Sequence, residues 1–393
     1  MGYPARSTRV IRRVLPRALA FCLILSTFLY FSGCATSLYL AKLGRGQARV
    51  ILGSRSIGSV LEDPAVDESI KEKIRLVVEA KTYGEERIGL AKTSNFQRFY
   101  HVEGSSLLYV VSACPKDRLE PYQWWFPITG RVTVKGFFSQ KDAIREKEKL
   151  ERKGLDVFVQ GAQAYSTLGW FKDPIFSTSL NYDRALVVHV VLHELTHNTV
   201  FFKDQFDFNE QIAFFVGGQG AVDFIGVKFG NASPLQKRAM GLIEDGVLFS
   251  RFIGEVFQKL KNFYSRPVSP AVKVRDREIL FREAKEVFKI LKKQLKTDRY
   301  LGFEEVKLNN AAILALSRYV ADIEQIQRLY EELDRDLTRT VAFFKEIQKA
   351  GVKDPHDYVM RWLKARGLEG SIHEGEDLSV IPYDSLAERK TPS

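Results

Sequence analysis

The stretch Ala185-Leu186-Val187-Val188-His189-Val190-Val191-Leu192-His193-Glu194-Leu195-Thr196-His197 decides how the rest of the chain is read. Its four valines favour a strand. The two histidines at i and i+4 favour a helix, because only there do they share a face one turn apart. On a helix, His193 and His197 offer two corners of a tetrahedral metal site. Glu194 is turned by about 100° from His193, so it points beside such an ion, where it can take a proton from a water the ion activates. The nearly unbroken apolar lead-in then reads as a helix buried in a core. Histidine and glutamate fall into H-E-x-x-H by chance in roughly one chain in a hundred of this length, so the surroundings must carry the rest.

A third protein ligand is needed, and spacing narrows the choice. Positions 200 and 203 are Val200 and Lys203, which excludes the longer pattern with a glycine and a third histidine. His189 shares the stripe of His193 but lies about 12 Å along the axis from His197, so it reads as packed or supporting rather than as a ligand. Glu210 is the better candidate. It follows a loop long enough to turn the chain back and opens a second apolar helix, with Asn209 as its expected cap. The alternative reading of Glu210 is a first-turn glutamate favoured by the helix dipole. Asp204, Asp207, Glu244 and Asp245 stay open as ligands.

Three quoted stretches carry a resemblance: Ala164 to Pro174, His193 to His197, and Phe208-Asn209-Glu210. With Tyr39, Gly46-Gln47, Trp125-Phe126-Pro127 and Asn309-Asn310-Ala311, they make the chain similar to a bacterial family called putative or predicted aminopeptidases, lipoprotein-like zinc peptidases with this motif. The resemblance implies Zn2+ held by His193, His197 and Glu210, with Glu194 as catalytic base. It also implies an α+β fold, a zincin-like core of a small sheet and metal-binding helices, followed by a C-terminal helical bundle. The run Gln211 to Gln219, with Phe214-Phe215-Val216-Gly217-Gly218, departs from a more polar, acidic run in the family. That departure leaves the chemistry intact and bears on substrate preference.

The first 33 residues read as a secretory signal: five arginines and no acid up to Arg17, then fourteen mostly apolar residues from Ala18 to Phe31. Phe31-Ser32-Gly33-Cys34 resembles a lipobox, so Cys34 is the expected lipidation site. The rival is a retained signal anchor, for which the apolar run is short of the ~20 residues that span a bilayer. Ala35 after the cysteine fits an outer-membrane location facing the periplasm. Cys114 is then the remaining thiol of three, so neither a disulfide framework nor a thiolate zinc site can be built. The formal charge of +11 comes without a fingered Cys/His pattern or a basic-aromatic stripe, which argues against nucleic acid. It suits a surface near anionic lipid.

The mature chain divides into a helical segment to residue 100, a catalytic region at 101–230, a helical bundle at 231–365 and a loose tail at 366–393. Asp67 caps a helix from Glu68 to Ala80, Leu107 to Ser112 is a buried strand, and Gln140 to Lys153 is a charged helix. Ile128 to Phe138 alternates, which predicts one half-exposed strand whose Arg131, Thr133 and Lys135 face outward. Such a strand could hold an extended peptide substrate by its edge; the alternative is an ordinary sheet strand. Tyr165 can donate to a developing oxyanion, or, like most buried tyrosines, bond to backbone. Asp173 can orient a ligand histidine. Ser233-Pro234 opens a helix to about Tyr264, followed by helices at about 271–296, from Asn309 or Asn310 through Ile313, Leu316, Val320 and Ile323, and at about 334–350.

The expected function is a membrane-tethered zinc metallopeptidase acting on peptides. Two rivals stand beside it: a non-catalytic envelope lipoprotein with a structural or partner-binding metal site, and a zinc hydrolase of a non-peptide amide. An aminopeptidase would need an acid for the substrate's ammonium group, and Glu244 and Asp245 are the candidates.

Overall fold

The computed structural model describes residues 36–126, 130–162, 172–317 and 323–367. The expected signal, Cys34, Tyr165 and the tail from 368 lie outside the described residues.

Helices dominate, and three small sheets join them. Helix α1 covers 36–53. It is followed by β1 (Arg55–Ser56), α2 (Ile57–Glu62), α3 (Glu68–Tyr83) and a π-helical turn, Gly84–Ile88. Next come β2 (Arg98–Tyr100), β3 (Leu108–Cys114), β4 (Trp124–Phe126), β5 (Gly130–Val132), β6 (Lys135–Phe137), α4 (Gln140–Glu151), β7 (Asp156–Ala162) and β8 (Ile175–Phe176). The remaining helices are α5 (Arg184–Thr199), α6 (Phe206–Phe229), α7 (Pro234–Tyr264), α8 (Pro270–Leu291), α9 (Asn310–Ser317), α10 (Ile323–Glu332), α11 (Leu337–Lys349) and α12 (Pro355–Lys364). The sheets run β1-β2-β8, β6-β3-β7 and β4-β5; β2 and β8 are parallel, and the other pairs are antiparallel.

Local signals set most helix starts. The side chain of Asp67 accepts from Ser69 N, and Ser233 accepts from Gln236 N ahead of Pro234, so each fills a donor the first turn leaves open. α5 begins at Asp183, which accepts from Leu186 N at 3.0 Å. Its valines are helical because every one of them is buried or packed in the largest apolar cluster, where burial outweighs strand propensity.

That cluster joins α3, α5, α6 and the first turns of α7 to α10, α11 and α12. The rest of α7 packs with α8 and α9 in a second cluster. The C-terminal helices thus divide between two cores: Ile313 lies in the second and Ile323 in the first, while the stretch of the expected helix at 318–322 lies outside the described residues. α6 is long and apolar enough to cross a membrane by length and composition. Its packing against α5, α7, α10 and α11 accounts for that composition.

The expected single strand over Ile128 to Phe138 is corrected. Arg131 pairs opposite Trp125 in the two-stranded sheet, whereas Lys135 pairs opposite Val111 in another. Thr133 lies between the two. The Lys135 ammonium is spent on Glu146 at 3.2 Å and on the ring of Tyr39, and Gly136 O accepts the Tyr39 hydroxyl at 2.9 Å. This sheet packs with α4 in an apolar cluster separate from that of α5 and α6.

A buried polar knot fastens β7 to the second core. Arg277 meets Asp156 at 2.5 and 3.1 Å, and Asn310 N donates to the same carboxylate at 3.0 Å. Tyr264 donates to Asn310 Oδ1 at 2.8 Å. Asn310, one of the residues quoted for the resemblance, is therefore committed to structure.

Candidate metal centre

Two antiparallel helices build the site. α5 presents His193 and His197 one turn apart, their Nε2 atoms separated by 3.1 Å. The chain leaves α5 at Val200, turns, and re-enters as α6. The turn is closed by Asn209, which is buried inside α6 and is not its cap: its Oδ1 accepts from Phe202 N at 2.8 Å and its Nδ2 donates to Phe202 O at 2.7 Å. Those two bonds fix where the next residue, Glu210, emerges.

Glu210 faces both histidines, with Oε2 at 3.5 Å from His193 Nε2 and Oε1 at 3.3 Å from His197 Nε2. The three residues form a group that could hold a metal, one ligand atom each, all within 4.8 Å of one another. A tetrahedral ion with bonds of about 2.05 Å needs donors roughly 3.3 Å apart, a spacing that each histidine Nε2 approaches toward one oxygen of Glu210, a different oxygen for each. Among the described residues, Asp204, Asp207, Glu244 and Asp245 do not join the group, and neither does His189.

The helices come this close because α6 lacks side chains where they touch. A Cβ on Gly217 would sit 2.8 Å from His193 N and 2.9 Å from His189 O, both backbone atoms. One on Gly218 would meet Ile243 at 2.9 Å, and one on Gly220 would meet Ile88 at 2.8 Å. Each glycine costs a helix interior ~1 kcal/mol relative to alanine. The glycine-bearing run at Gly217 to Gly220 thus sets the interhelix distance. A glycine pair inside an apolar helix was the available signal for it.

Electrostatics divide the two glutamates. Burial raises the pKa of Glu210, but hydrogen bonds and charge from His193 and His197 outweigh it and hold the carboxyl well below its usual range. It is thereby an anion, as a ligand must be. Burial lowers the pKa of His193, and the opposing bond and charge of Glu210 leave it raised overall. Glu194 is held above the usual carboxylate range, chiefly by burial; the histidines pull it down, while Glu210 and Asp173 push it up. Its Oε2 is shut off from solvent and has no hydrogen-bond partner among the described residues. His189 is buried edge-on to Phe214, 5.2 Å between ring centres, and is held neutral by burial with Arg299 and His193 nearby.

Glu194 opens onto a cavity of about 20 Å³ lined by Asn95, Asp173, Ile175 and three valines of α5, which is room for one water. Asp173 lies on this side and does not orient His197, whose buried Nδ1 has no partner among the described residues. Both oxygens of Asp245 are filled, by Lys296 N at 2.7 Å and by Thr297 N and Oγ1 at 2.7 and 2.5 Å. Asp245, buried and bonded in this way, therefore anchors the loop after α8.

Residues 38–357 match the model of the family described as Putative aminopeptidase. No curated protein and no solved structure matches the chain.

Proposed function

The chain belongs to the Putative aminopeptidase family, and from that premise we propose that it is a zinc-dependent peptidase with a zincin-like core, tethered to a bacterial cell envelope. The observation that carries the reading is the convergence of His193, His197 and Glu210 beside a buried, unpartnered Glu194 Oε2. Two imidazoles and one carboxylate suit zinc and leave one position of a tetrahedron open; a structural site would close it with a fourth protein ligand.

Zinc bound there would supply a Lewis acid, able to polarise a carbonyl and to lower the pKa of water to about 7. The chain's own residues do the rest. Glu194 holds the attacking water and takes its proton, which it can do because no neighbouring donor occupies Oε2. The new C–O bond forms first, as the carbonyl π pair moves onto oxygen; the same carboxyl then gives that proton to the amine nitrogen, and the peptide C–N bond breaks as the carbonyl re-forms. Tyr165, outside the described residues, is the proposed donor to the carbonyl oxygen as it gains charge. Lipidation at Cys34 would provide the tether.

Peptides with free and with acetylated amino termini, digested by the zinc-loaded protein and by Glu194→Gln, test the reading. Cleavage by wild type and not by Glu194→Gln supports a peptidase, and protection by acetylation supports amino-terminal cleavage. Absence of cleavage in both peptide sets overturns it.

A further inference from the structure

The charge of this chain is concentrated at one end. The first acidic residue is Glu62, and the 61 residues before it carry nine lysines and arginines, which is +9 of the formal +11. Four of those nine lie at Lys42, Arg45, Arg49 and Arg55, in α1 and just after it.

α1 has two faces. Tyr39, Gly46 and Val50 share a stripe within about 40° around the axis, and this stripe faces the protein. Tyr39 stacks on Phe126 and meets Phe137 edge-on, with ring centres 5.5 and 5.4 Å apart, a Cβ on Gly46 would strike the ring of Phe138, and Val50 is buried. On the other side, Leu38, Arg45, Arg49 and Leu52 are exposed, Leu38 to 60 % and Leu52 to 83 %. Lys42 joins that face but is paired with Asp142. Arg45 and Arg49 make no ion pair among the described residues. Two leucines about 21 Å apart along the axis, with cations between them and no acid, form a surface with little reason to face water alone. Beside the start of α1, the β4–β5 pair adds an exposed tryptophan, Trp125, directly opposite exposed Arg131.

We propose that α1 is a membrane-interface helix: it lies flat on an anionic phospholipid bilayer, with Leu38 and Leu52 entering the headgroup boundary and Arg45 and Arg49 pairing with lipid phosphates. The position in the chain selects lipid as the occupant. α1 follows directly on the apolar run Ala18 to Phe31 and on Cys34, so whatever holds that segment at a membrane holds α1 at its surface. A single acyl chain alone binds a bilayer marginally, and a basic patch is one of the second elements that make such binding stable. Docking here also fixes the orientation of the body, since Tyr39, Gly46 and Val50 bind α1 rigidly to it. The inference rests on α1 and on the envelope tether proposed above, and is independent of the metal and of catalysis.

The test uses the full chain in nanodiscs of pure phosphatidylcholine and of phosphatidylcholine with one-third phosphatidylglycerol. An environment-sensitive fluorophore is placed at Leu52→Cys and quenched by spin-labelled lipid. Cys114 is buried, and the unsubstituted chain carried through the same labelling supplies the blank for the other cysteines. The expected result is quenching and a blue shift in the phosphatidylglycerol discs, several-fold weaker in phosphatidylcholine, and lost in Arg45→Glu/Arg49→Glu and at high salt. Circular dichroism melting of that variant, and the neutral pair Arg45→Gln/Arg49→Gln with an intermediate loss, separate lipid recognition from misfolding. No quenching in anionic discs overturns the proposal. Equal quenching in both lipids, indifferent to charge reversal, overturns it as well.

Discussion

Gly217→Ala is the smallest change that should disturb the metal centre without touching a ligand. The added Cβ would lie 2.8 Å from His193 N, 2.9 Å from His189 O and 3.0 Å from His193 Cα. All three are backbone atoms, so no side-chain rotation relieves them. Restoring ordinary contact of about 3.4 Å or more requires α5 and α6 to part by roughly half an ångström. Metal and catalytic constellations tolerate about 0.5 Å, and a misplacement of about 1 Å costs on the order of 100-fold. Alanine's helical preference favours the variant by about 1 kcal/mol, so the fold should survive while the site loosens. Zinc affinity, read by competition with a chromophoric chelator, should fall roughly 10- to 100-fold, and peptide cleavage with it. Gly58→Ala, with nothing within 4 Å of its Cβ, should leave both unchanged. Gly217→Ala with wild-type zinc affinity and an unchanged or higher melting temperature would refute the reasoning, since the interhelix distance would then not be what positions Glu210.

Asp156→Ala should cost about 3–5 kcal/mol of stability by urea titration, because it strands the buried Arg277 guanidinium and the Asn310 N–H; a loss below about 1 kcal/mol would contradict the polar knot. Burial raises the pKa of Asp223, against the hydrogen bond from Gln219, so the folded state binds its proton more tightly than the unfolded state does and stability falls as pH rises through the raised value. Asp223→Asn, which keeps the bond from Gln219, should therefore match wild type well below pH 3.8 and melt higher at pH 7; equal melting temperatures at both pH values would remove the burial argument. Cys114, its thiol pushed up to about 12 by burial, should stay unlabelled by maleimide at pH 8 in the native protein and react in guanidinium, and rapid native labelling would sink that assignment.

Much of the site was legible because its signals are local. Four-residue spacing places His193 and His197 on one face, and Asp67 and Ser233 cap helices through groups two or three residues away. What distant chain partners decide was not legible. β7 pairs with β3 across the intervening helix α4, and its alternation is broken by Gly161. Asn209 looks like a cap because asparagine before an apolar helix usually is one; here α6 begins earlier, at Phe206, and the amide clasps Phe202. The alternation from Ile128 to Phe138 suggested one strand, but Lys135 and Arg131 pair in different sheets. The apolar stripe read through Ile313, Leu316, Val320 and Ile323 showed a buried face without showing that Ile313 and Ile323 belong to different cores.

The central claim is that His193, His197 and Glu210 hold one zinc ion on which Glu194 acts as base. Elemental analysis of the purified wild type, Glu194→Gln and Glu210→Ala, with peptide cleavage measured on the same samples, tests it most directly. The account predicts one zinc per chain in wild type and in Glu194→Gln, cleavage by wild type only, and loss of most zinc in Glu210→Ala. Zinc-free, inactive wild type would contradict it, as would a Glu194→Gln protein that cleaves like wild type.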